Sequence, residues 1–186
     1  MIEISIKGID LVFETAPGLF SPGGVDAGTL AMLSCAEFRP EDKVLDLGCG
    51  YGVVGILAAR LIGAERVTMV DRDEKAAEYA ARNASLNNVK DVRIVISDGV
   101  RELDDAGYTV ILSNPPYHED FSVPKAFIEK GFNRLAIGGR MYMVTKREKW
   151  YRNKLTAVFG GVRVWKQQDY FVFMAEKRSV SWGRSH

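Results

Sequence analysis

The segment Asn114-Pro115-Pro116-Tyr117 carries the residue types best suited to chemistry in this chain of 186 residues. It directly follows the apolar run 109–113, so we expect it at the exit of a buried strand. The Asn114 side-chain oxygen and the Pro115 carbonyl are acceptors for the two N–H groups of a planar amino group. The prolines restrict the backbone and donate no competing N–H, and Tyr117 offers a face that can stack on a flat ring. The segment therefore predicts a site that orients an amino nitrogen.

A second candidate is the glycine-rich turn Asp46-Leu47-Gly48-Cys49-Gly50-Tyr51-Gly52, at the end of the predicted strand 44–47. Its three glycines let the backbone turn tightly and approach a ligand closely. The spacing G-x-G-x-G departs from the G-x-G-x-x-G of nicotinamide enzymes, and no Lys or Arg of the turn meets a pyrophosphate. The turn therefore favours a ligand without phosphate, bound at the carboxyl end of the strand. Asp46 can either orient the turn or face a cationic ligand.

Two more carboxylates follow the next predicted strands along the chain. Asp71 comes directly after the strand 67–70, and Asp98 follows the strand 92–96. Because the carboxyl ends of parallel strands meet at one edge of a sheet, we expect both beside the glycine turn. A lone Asp at a strand end is more often a turn former. Two of them beside that turn favour ligand contact, with Asp71 placed to accept the hydroxyls of a ribose.

Strands and helices alternate along the chain, which predicts a parallel sheet with helices on both faces. The predicted strands are 44–47, 67–70, 92–96, 109–113 and 141–144, and the predicted helices are 27–38, 53–62, 73–86, 123–135 and 147–159. The runs 162–166 and 170–176 predict an antiparallel hairpin. We predict one domain over residues 1–178, in which 1–40 form an N-terminal hairpin, a loop and a helix, and a flexible tail over 179–186.

The composition is that of an ordinary globular protein, with 47% hydrophobic and 26% charged residues. The apolar runs are too short to span a membrane, and the first residues alternate like a strand rather than following the order of a signal peptide. We therefore expect a cytoplasmic protein. Cys35 and Cys49 form no disulfide or metal pattern, and the chain has only two histidines. We expect no metal.

The net charge of +1 conceals an asymmetry along the chain. Residues 1–124 hold 11 Lys and Arg against 20 Asp and Glu, whereas residues 125–186 hold 14 against 4. Such halves suggest two surfaces for two kinds of ligand. In the segment 146–154, Lys146, Arg147 and Lys149 could hold phosphates while Trp150 stacks on an unpaired base. The alternative is a basic amphipathic helix that packs Trp150 against the sheet.

The segment 18–29, Gly-Leu-Phe-Ser-Pro-Gly-Gly-Val-Asp-Ala-Gly-Thr, completes a recognisable pattern. Together with the glycine turn, the two strand-end acids and the Asn-Pro-Pro-Tyr segment, it resembles the RsmC-type (MTS) family of class I S-adenosylmethionine (SAM)-dependent methyltransferases over roughly residues 10–178. The resemblance implies an α/β, doubly wound Rossmann-like sheet of seven mostly parallel strands with an antiparallel C-terminal hairpin. It also implies methylation of guanine N2 in small-subunit ribosomal RNA, with SAM as donor and S-adenosylhomocysteine as product.

The resemblance also implies roles for individual residues. The catalytic residues are then Asn114, Pro115 and Tyr117. The SAM site comprises Asp46, Gly48, Cys49, Gly50, Gly52, Asp71, Arg72, Ser97, Asp98, Gly99 and Asn114, with Asp98 accepting from the adenine amino group. The candidates for substrate contact are Phe20, His118, Lys146, Arg147 and Lys149. Phe20 either covers a ligand or packs under its loop.

Three alternatives remain open at this point. HemK-type enzymes methylate a glutamine amide in proteins with the same Asn-Pro-Pro-Tyr arrangement. Adenine-N6 methyltransferases likewise methylate an exocyclic amino nitrogen. The segment 18–29 and the basic last third of the chain favour RNA as the partner. The third alternative, a non-catalytic SAM-sensing or RNA-binding module, is disfavoured by the intact glycine turn, both acids and Asn114.

Overall fold

The structure, a computed structural model, describes residues 1–116 and 120–183. Its strands are β1 (Ile2–Ile6), β2 (Ile9–Phe13), β3 (Val44–Leu47), β4 (Val67–Asp71), β5 (Arg93–Ile96), β6 (Tyr108–Ser113), β7 (Leu135–Thr145), β8 (Arg163–Gln167) and β9 (Tyr170–Glu176). Its α-helices are α1 (Ala27–Cys35), α2 (Val53–Ile62), α3 (Glu74–Leu86), α4 (Ser122–Arg134) and α5 (Glu148–Phe159), and a 3-10 turn covers Ala64–Arg66.

Seven of these strands form one sheet in the order β5-β4-β3-β6-β7-β9-β8, and β1 pairs with β2 in a separate hairpin. The strands β3 to β7 are parallel, while β9 runs antiparallel to both β7 and β8. The predicted sheet is therefore confirmed. The chain leaves β3 toward β5 and returns to β6 on the other side of β3, so the strand order reverses between β3 and β6. Open α/β sheets bind ligands beyond the carboxyl ends of the strands at such a reversal.

Two apolar clusters cover opposite faces of the sheet, which explains why the central strands are largely apolar on both faces. Alternate residues of β6 belong to different clusters: Val110 and Leu112 pack with α1, α2 and α3, whereas Ile111 packs with α4 and α5. The helix α2 approaches the sheet closely because it carries Gly55. A Cβ on Gly55 would lie 2.3 Å from Met69 Cγ on β4.

The N-terminal hairpin is held against α3 by two asparagine side chains. The Asn83 amide donates to the Glu14 carbonyl at 2.9 Å and accepts from the Glu14 N–H at 2.7 Å. Asn87 makes the same two-way exchange with the backbone of Val12. These bonds fix the start of the loop that leads from β2 over the carboxyl edge of the sheet to α1.

The predicted helix 27–38 is three residues too long, since α1 ends at Cys35. The Glu37 N–H donates to the Tyr142 hydroxyl and its carbonyl accepts from Arg140, so this stretch bonds to side chains of β7 instead of continuing the helix. The predicted strand 141–144, by contrast, is too short. The strand β7 starts at Leu135 and continues past an irregularity in its pairing with β6 between Tyr108 and Val110.

At the other end of the chain, the Gly183 N–H donates to the Val158 carbonyl and Lys154 lies over the Trp182 ring. The flexibility of residues 179–186 stays a prediction. Within residues 1–116 and 120–183, no helix is long and apolar enough to cross a membrane. The same described residues contain no group of three or more His, Cys, Asp or Glu side chains that could hold a metal ion.

Candidate functional site

A cavity of about 240 Å³ opens at the carboxyl ends of β3, β4, β5 and β6, where the strand order reverses. Most of the residues predicted for a ligand site line it: Phe20, Asp46, Gly48, Cys49, Gly50, Asp71, Arg72, Ser97, Asp98, Gly99, Asn114 and Pro115. Gly52, Lys146, Arg147 and Lys149 lie outside its lining. Tyr117 and His118 fall outside the residues that the structure describes.

The glycine turn is held in place by backbone hydrogen bonds to β4. The N–H groups of Gly48 and Cys49 both donate to the Val70 carbonyl at 2.8 Å. Gly48 and Gly50 have φ of 76° and 56°, which residues with a Cβ rarely adopt. Gly52, with φ of 108°, is the N-cap of α2, and a Cβ there would lie 2.8 Å from Ile56 Cδ1. Gly52 therefore packs against α2 on the side of the turn away from the cavity, while Gly48 and Gly50 line the cavity.

Asp46 is buried beneath the glycine turn, with 3% of its surface exposed. Its Oδ2 accepts from the Gly55 N–H at 2.8 Å, which fixes the carboxylate against the start of α2. Burial raises the pKa of Asp46 to about 7; the hydrogen bond from Gly55 opposes this rise, and the charge of Asp71 adds to it. A cation in the cavity would favour the ionised carboxylate.

Asp71 links the glycine turn to the start of α3. Its Oδ2 accepts from the Gly50 N–H at 2.8 Å and its Oδ1 accepts from the Asp73 N–H at 2.9 Å. Each carboxylate oxygen has a second lone pair, so both oxygens can also accept from a ligand. Asp71 can thus shape the turn and bind a ligand at once.

Asp98 is exposed at the other end of the cavity, in the turn after β5. Its carbonyl accepts from the Arg101 N–H, and the adjoining Ser97 hydroxyl accepts from the Glu102 N–H at 2.8 Å. The Ser97 side chain therefore stabilises the turn that follows β5. Arg72 is exposed between the cavity and a neighbouring groove.

The Asn114 side chain meets two residues from the beginning of α1. Its Nδ2 donates to Asp26 Oδ2 at 2.9 Å and to Thr29 Oγ1 at 3.1 Å. Both partners line the same cavity. Neither Asp26 nor Thr29 was predicted to have a role, although both belong to the segment 18–29 that carries the family resemblance. That segment was the available signal for finding them.

Three aromatic side chains complete the cavity. The Phe127 ring from α4 lies between two glycines, 3.6 Å from where a Cβ on Gly48 or on Gly99 would be. The Tyr51 hydroxyl donates to backbone carbonyls of the loop 21–24. Phe20 keeps 48% of its surface exposed at the rim of the cavity. The ring is therefore not packed under its loop, and its role in covering a ligand stays a prediction. Sequence reasoning missed Phe127 and Tyr51, whose apolar context is that of core residues.

The basic segment begins directly after β7, whose Met143 pairs with Ser113 of β6. Lys146, Arg147 and Lys149 are exposed at this same edge of the sheet. Trp150 stacks on Phe121 with ring centroids 4.5 Å apart, and the Arg147 guanidinium lies 4.3 Å from the centroid of the same Phe121 ring. Trp150, on α5, therefore packs on Phe121 at the start of α4 and is partly buried against the apolar cluster on that face of the sheet. This agrees with the alternative in which a basic amphipathic helix packs Trp150 inward.

The strand order, the glycine turn and the acidic cavity together define a class I SAM-dependent methyltransferase. Comparison with known proteins agrees, since the methyltransferase small domain family matches residues 10–175. The chain belongs to this family. The uncharacterized protein YbxB of Bacillus subtilis is 31% identical over 92% of this chain and 89% of its own length. Ribosomal RNA small subunit methyltransferase C of Cronobacter sakazakii is 32% identical over 87% of this chain and 48% of its own.

Solved structures give the same result. A Thermus thermophilus 16S rRNA guanine N2 methyltransferase (RsmC), determined with AdoMet (SAM) and guanosine, superposes with a TM-score of 0.87 at 30% identity. The match covers 95% of this chain and 50% of that one. A Pyrococcus furiosus methyltransferase, with a TM-score of 0.73 at 22% identity, shares the fold over 91% of this chain and 90% of its own. The chain thus spans about half the length of its RsmC relatives.

Proposed function

We propose that this protein transfers a methyl group from SAM to N2 of a guanine in small-subunit ribosomal RNA. The observation that carries the proposal is the position of Asn114. Its amide nitrogen is bonded to Asp26 and Thr29 at the wall of the acidic cavity, which leaves the amide oxygen for an amino group. The relatives named as ribosomal RNA methyltransferases, and the one solved with AdoMet and guanosine, support this choice of acceptor.

The cavity has the charge that a cationic ligand requires. Its lining contains the cation Arg72 and an excess of carboxylates: Asp26, Asp46, Asp71 and Asp98. SAM carries a sulfonium and an ammonium group and no phosphate, and when bound it supplies an electrophilic methyl group. A pyrophosphate, as in NAD, would be repelled by the same four acids. The cavity therefore fits SAM better than a dinucleotide.

Residues of the cavity have distinct parts in holding SAM. Asp71 is assigned to the ribose hydroxyls and Asp98 to the adenine amino group. Phe127, between Gly48 and Gly99, offers a flat face for the adenine ring. The buried carboxylate of Asp46 compensates positive charge at the methionine end.

The task of Asn114 and Pro115 is alignment of the acceptor nitrogen. An exocyclic amino nitrogen is a poor nucleophile because its lone pair is delocalised into the ring. The Asn114 Oδ1 and the Pro115 carbonyl each accept one N–H, which directs the lone pair toward the bound donor. Alignment of this kind can contribute roughly 7–11 kcal/mol. No general base is required, because the proton can leave the product cation for water. Stacking by Tyr117 and a polar contact from His118 stay predictions.

The basic surface beside the cavity suits a polyanion. Lys146, Arg147 and Lys149 are exposed at the edge where the acceptor must enter. Phosphates of RNA would bind there, whereas a glutamine side chain in a protein gives no reason for three cations. The same motif can serve adenine N6, which remains the second candidate acceptor. Action on ribosomal RNA in the cytoplasm stays part of the proposal.

The test uses purified protein, SAM with a labelled methyl group, and ribosomal small subunits from cells that lack the gene. We expect label in the RNA fraction, as N2-methylguanosine, and none in the protein fraction. Asn114→Ala is the control: it should lose most turnover at nearly unchanged SAM affinity, because the residue orients the acceptor. Label in a glutamine of the protein fraction would contradict the proposal, and label as N6-methyladenosine would replace guanine by adenine.

A further inference from the structure

The orientation of the Asn114 amide is determined by residues that come 85 or more positions earlier in the chain. A carboxylate can only accept hydrogen bonds, so the atom 2.9 Å from Asp26 Oδ2 must be the amide nitrogen. Thr29 Oγ1 accepts the other N–H of the same group. Both donors of Asn114 are thereby engaged on the side of α1.

The two partners of Asn114 are themselves fixed. Asp26 caps α1, and the Oδ2 that meets Asn114 also accepts from the Thr29 N–H at 3.0 Å. Between them, Gly28 packs so closely against β9 that a Cβ there would lie 2.7 Å from Tyr170 Cε1. The start of α1 is therefore seated against the sheet, and its two polar side chains present fixed acceptors to Asn114.

We propose that Asp26 and Thr29 are positioning residues for methyl transfer, which select the amide orientation that turns the Asn114 oxygen toward the acceptor nitrogen. This inference rests on the proposed function of Asn114. The reversed amide would place its oxygen against the Asp26 carboxylate, acceptor against acceptor, and would offer N–H groups to an amino group that needs acceptors. Without the two residues, Asn114 is present but populates the wrong orientation.

The first test separates this role from helix capping. Serine is as good an N-cap as aspartate, but its single hydroxyl lies one bond closer to the backbone and carries no charge. Asp26→Ser therefore keeps the cap and removes the charged acceptor of Asn114. Asp73→Ser makes the same exchange at the cap of α3. For methyl transfer to small-subunit RNA from cells lacking the gene, we expect Asp26→Ser to lower kcat about ten- to a hundredfold, the range for a lost bond to a charged group. SAM affinity should stay within about twofold, and Asp73→Ser should keep full turnover.

Thr29 provides a matched pair of substitutions. Thr29→Val keeps the shape and removes the hydroxyl, while Thr29→Ser keeps the hydroxyl and removes a methyl group. We expect kcat to fall about two- to tenfold in Thr29→Val, as for one neutral hydrogen bond, and to recover in Thr29→Ser. An equal loss in both variants would indicate packing and would overturn the role of the hydroxyl.

A measurement without turnover tests the bonds themselves. In ¹⁵N-labelled protein, the Asn114 side-chain NH₂ should give two separate, solvent-protected proton signals, and Asp26→Ser should remove the protection while the backbone signals of α1 remain. The inference is overturned if Asp26→Ser leaves these signals and kcat unchanged, or if its loss lies in SAM affinity alone. Should wild-type protein methylate no RNA, the proposed function fails, and the NH₂ signals still decide whether Asp26 orients Asn114.

Discussion

Asp71 provides the sharpest prediction on the cofactor site, because its carboxylate has two tasks in the structure. It accepts the N–H groups of Gly50 and Asp73 at 2.8 and 2.9 Å, and we assign its remaining lone pairs to the ribose hydroxyls of SAM. Hydrogen bonds to a charged group contribute roughly 1.5–3 kcal/mol each. Loss of two ribose bonds in Asp71→Ala should therefore cost at least about 3 kcal/mol, or roughly 150-fold in affinity.

The assay is calorimetric titration with S-adenosylhomocysteine, which binds without turnover. Asp71→Asn should lose less than Asp71→Ala, since the amide keeps one acceptor oxygen. Asp91→Ala, which removes an exposed aspartate before β5, should bind like wild type. Because the glycine turn loses its bond to Asp71, thermal unfolding must confirm that the variant is folded at the assay temperature. Wild-type affinity in folded Asp71→Ala would refute the assignment of the ribose to this residue.

Two further predictions concern charge. Burial raises the pKa of Asp46 from 3.8 to about 7, so the folded chain retains a proton that the unfolded chain loses. The contribution of Asp46 to the free energy of unfolding should therefore fall by on the order of 4 kcal/mol as pH rises from about 4 to about 7. Asp46→Asn should remove this contribution. Urea titrations at several pH values measure it, and an equal dependence of the unfolding free energy on pH in both proteins would contradict the burial argument. The double variant Lys146→Glu with Lys149→Glu should reduce the slope of log RNA affinity against log salt by about 1.4, because two phosphate contacts on a single strand are lost. The control variant Lys7→Glu with Lys90→Glu changes two lysines that are exposed outside the cavity lining, and it should leave the slope unchanged. Filter binding at several salt concentrations measures both slopes, and identical slopes would make Lys146 and Lys149 ordinary solvated charges.

Local patterns predicted the elements that form the cavity. The apolar run of β3, the glycine turn and the helix α2 lie where the sequence places them, because each is determined by neighbouring residues. The acids at the ends of β4 and β5 came together for a topological reason, since parallel strands end at a common edge. The same reasoning brought Asn114 to that edge.

What the sequence left open depends on contacts between distant residues. No periodicity indicates that Asp26 meets Asn114, 88 positions later. Strand topology places Asn114 at the carboxyl edge of the sheet, but it does not place the loop before α1, which contains Asp26. The end of α1 is decided by Arg140 and Tyr142 on β7, which bind the backbone of Glu37 in place of a further helical turn. The stacking of Trp150 on Phe121 likewise joins residues from separate parts of the chain, which no local pattern indicates.

The reaction proposed for the Asn114 site is methylation of guanine N2 in small-subunit ribosomal RNA. The most direct test is mass spectrometry of nucleosides from that RNA, prepared from cells with the gene, without it, and complemented with wild type or Asn114→Ala. We expect N2-methylguanosine to fall in the deletion strain, to return with the wild-type gene and not to return with Asn114→Ala. Equal amounts of N2-methylguanosine in all four strains would contradict it.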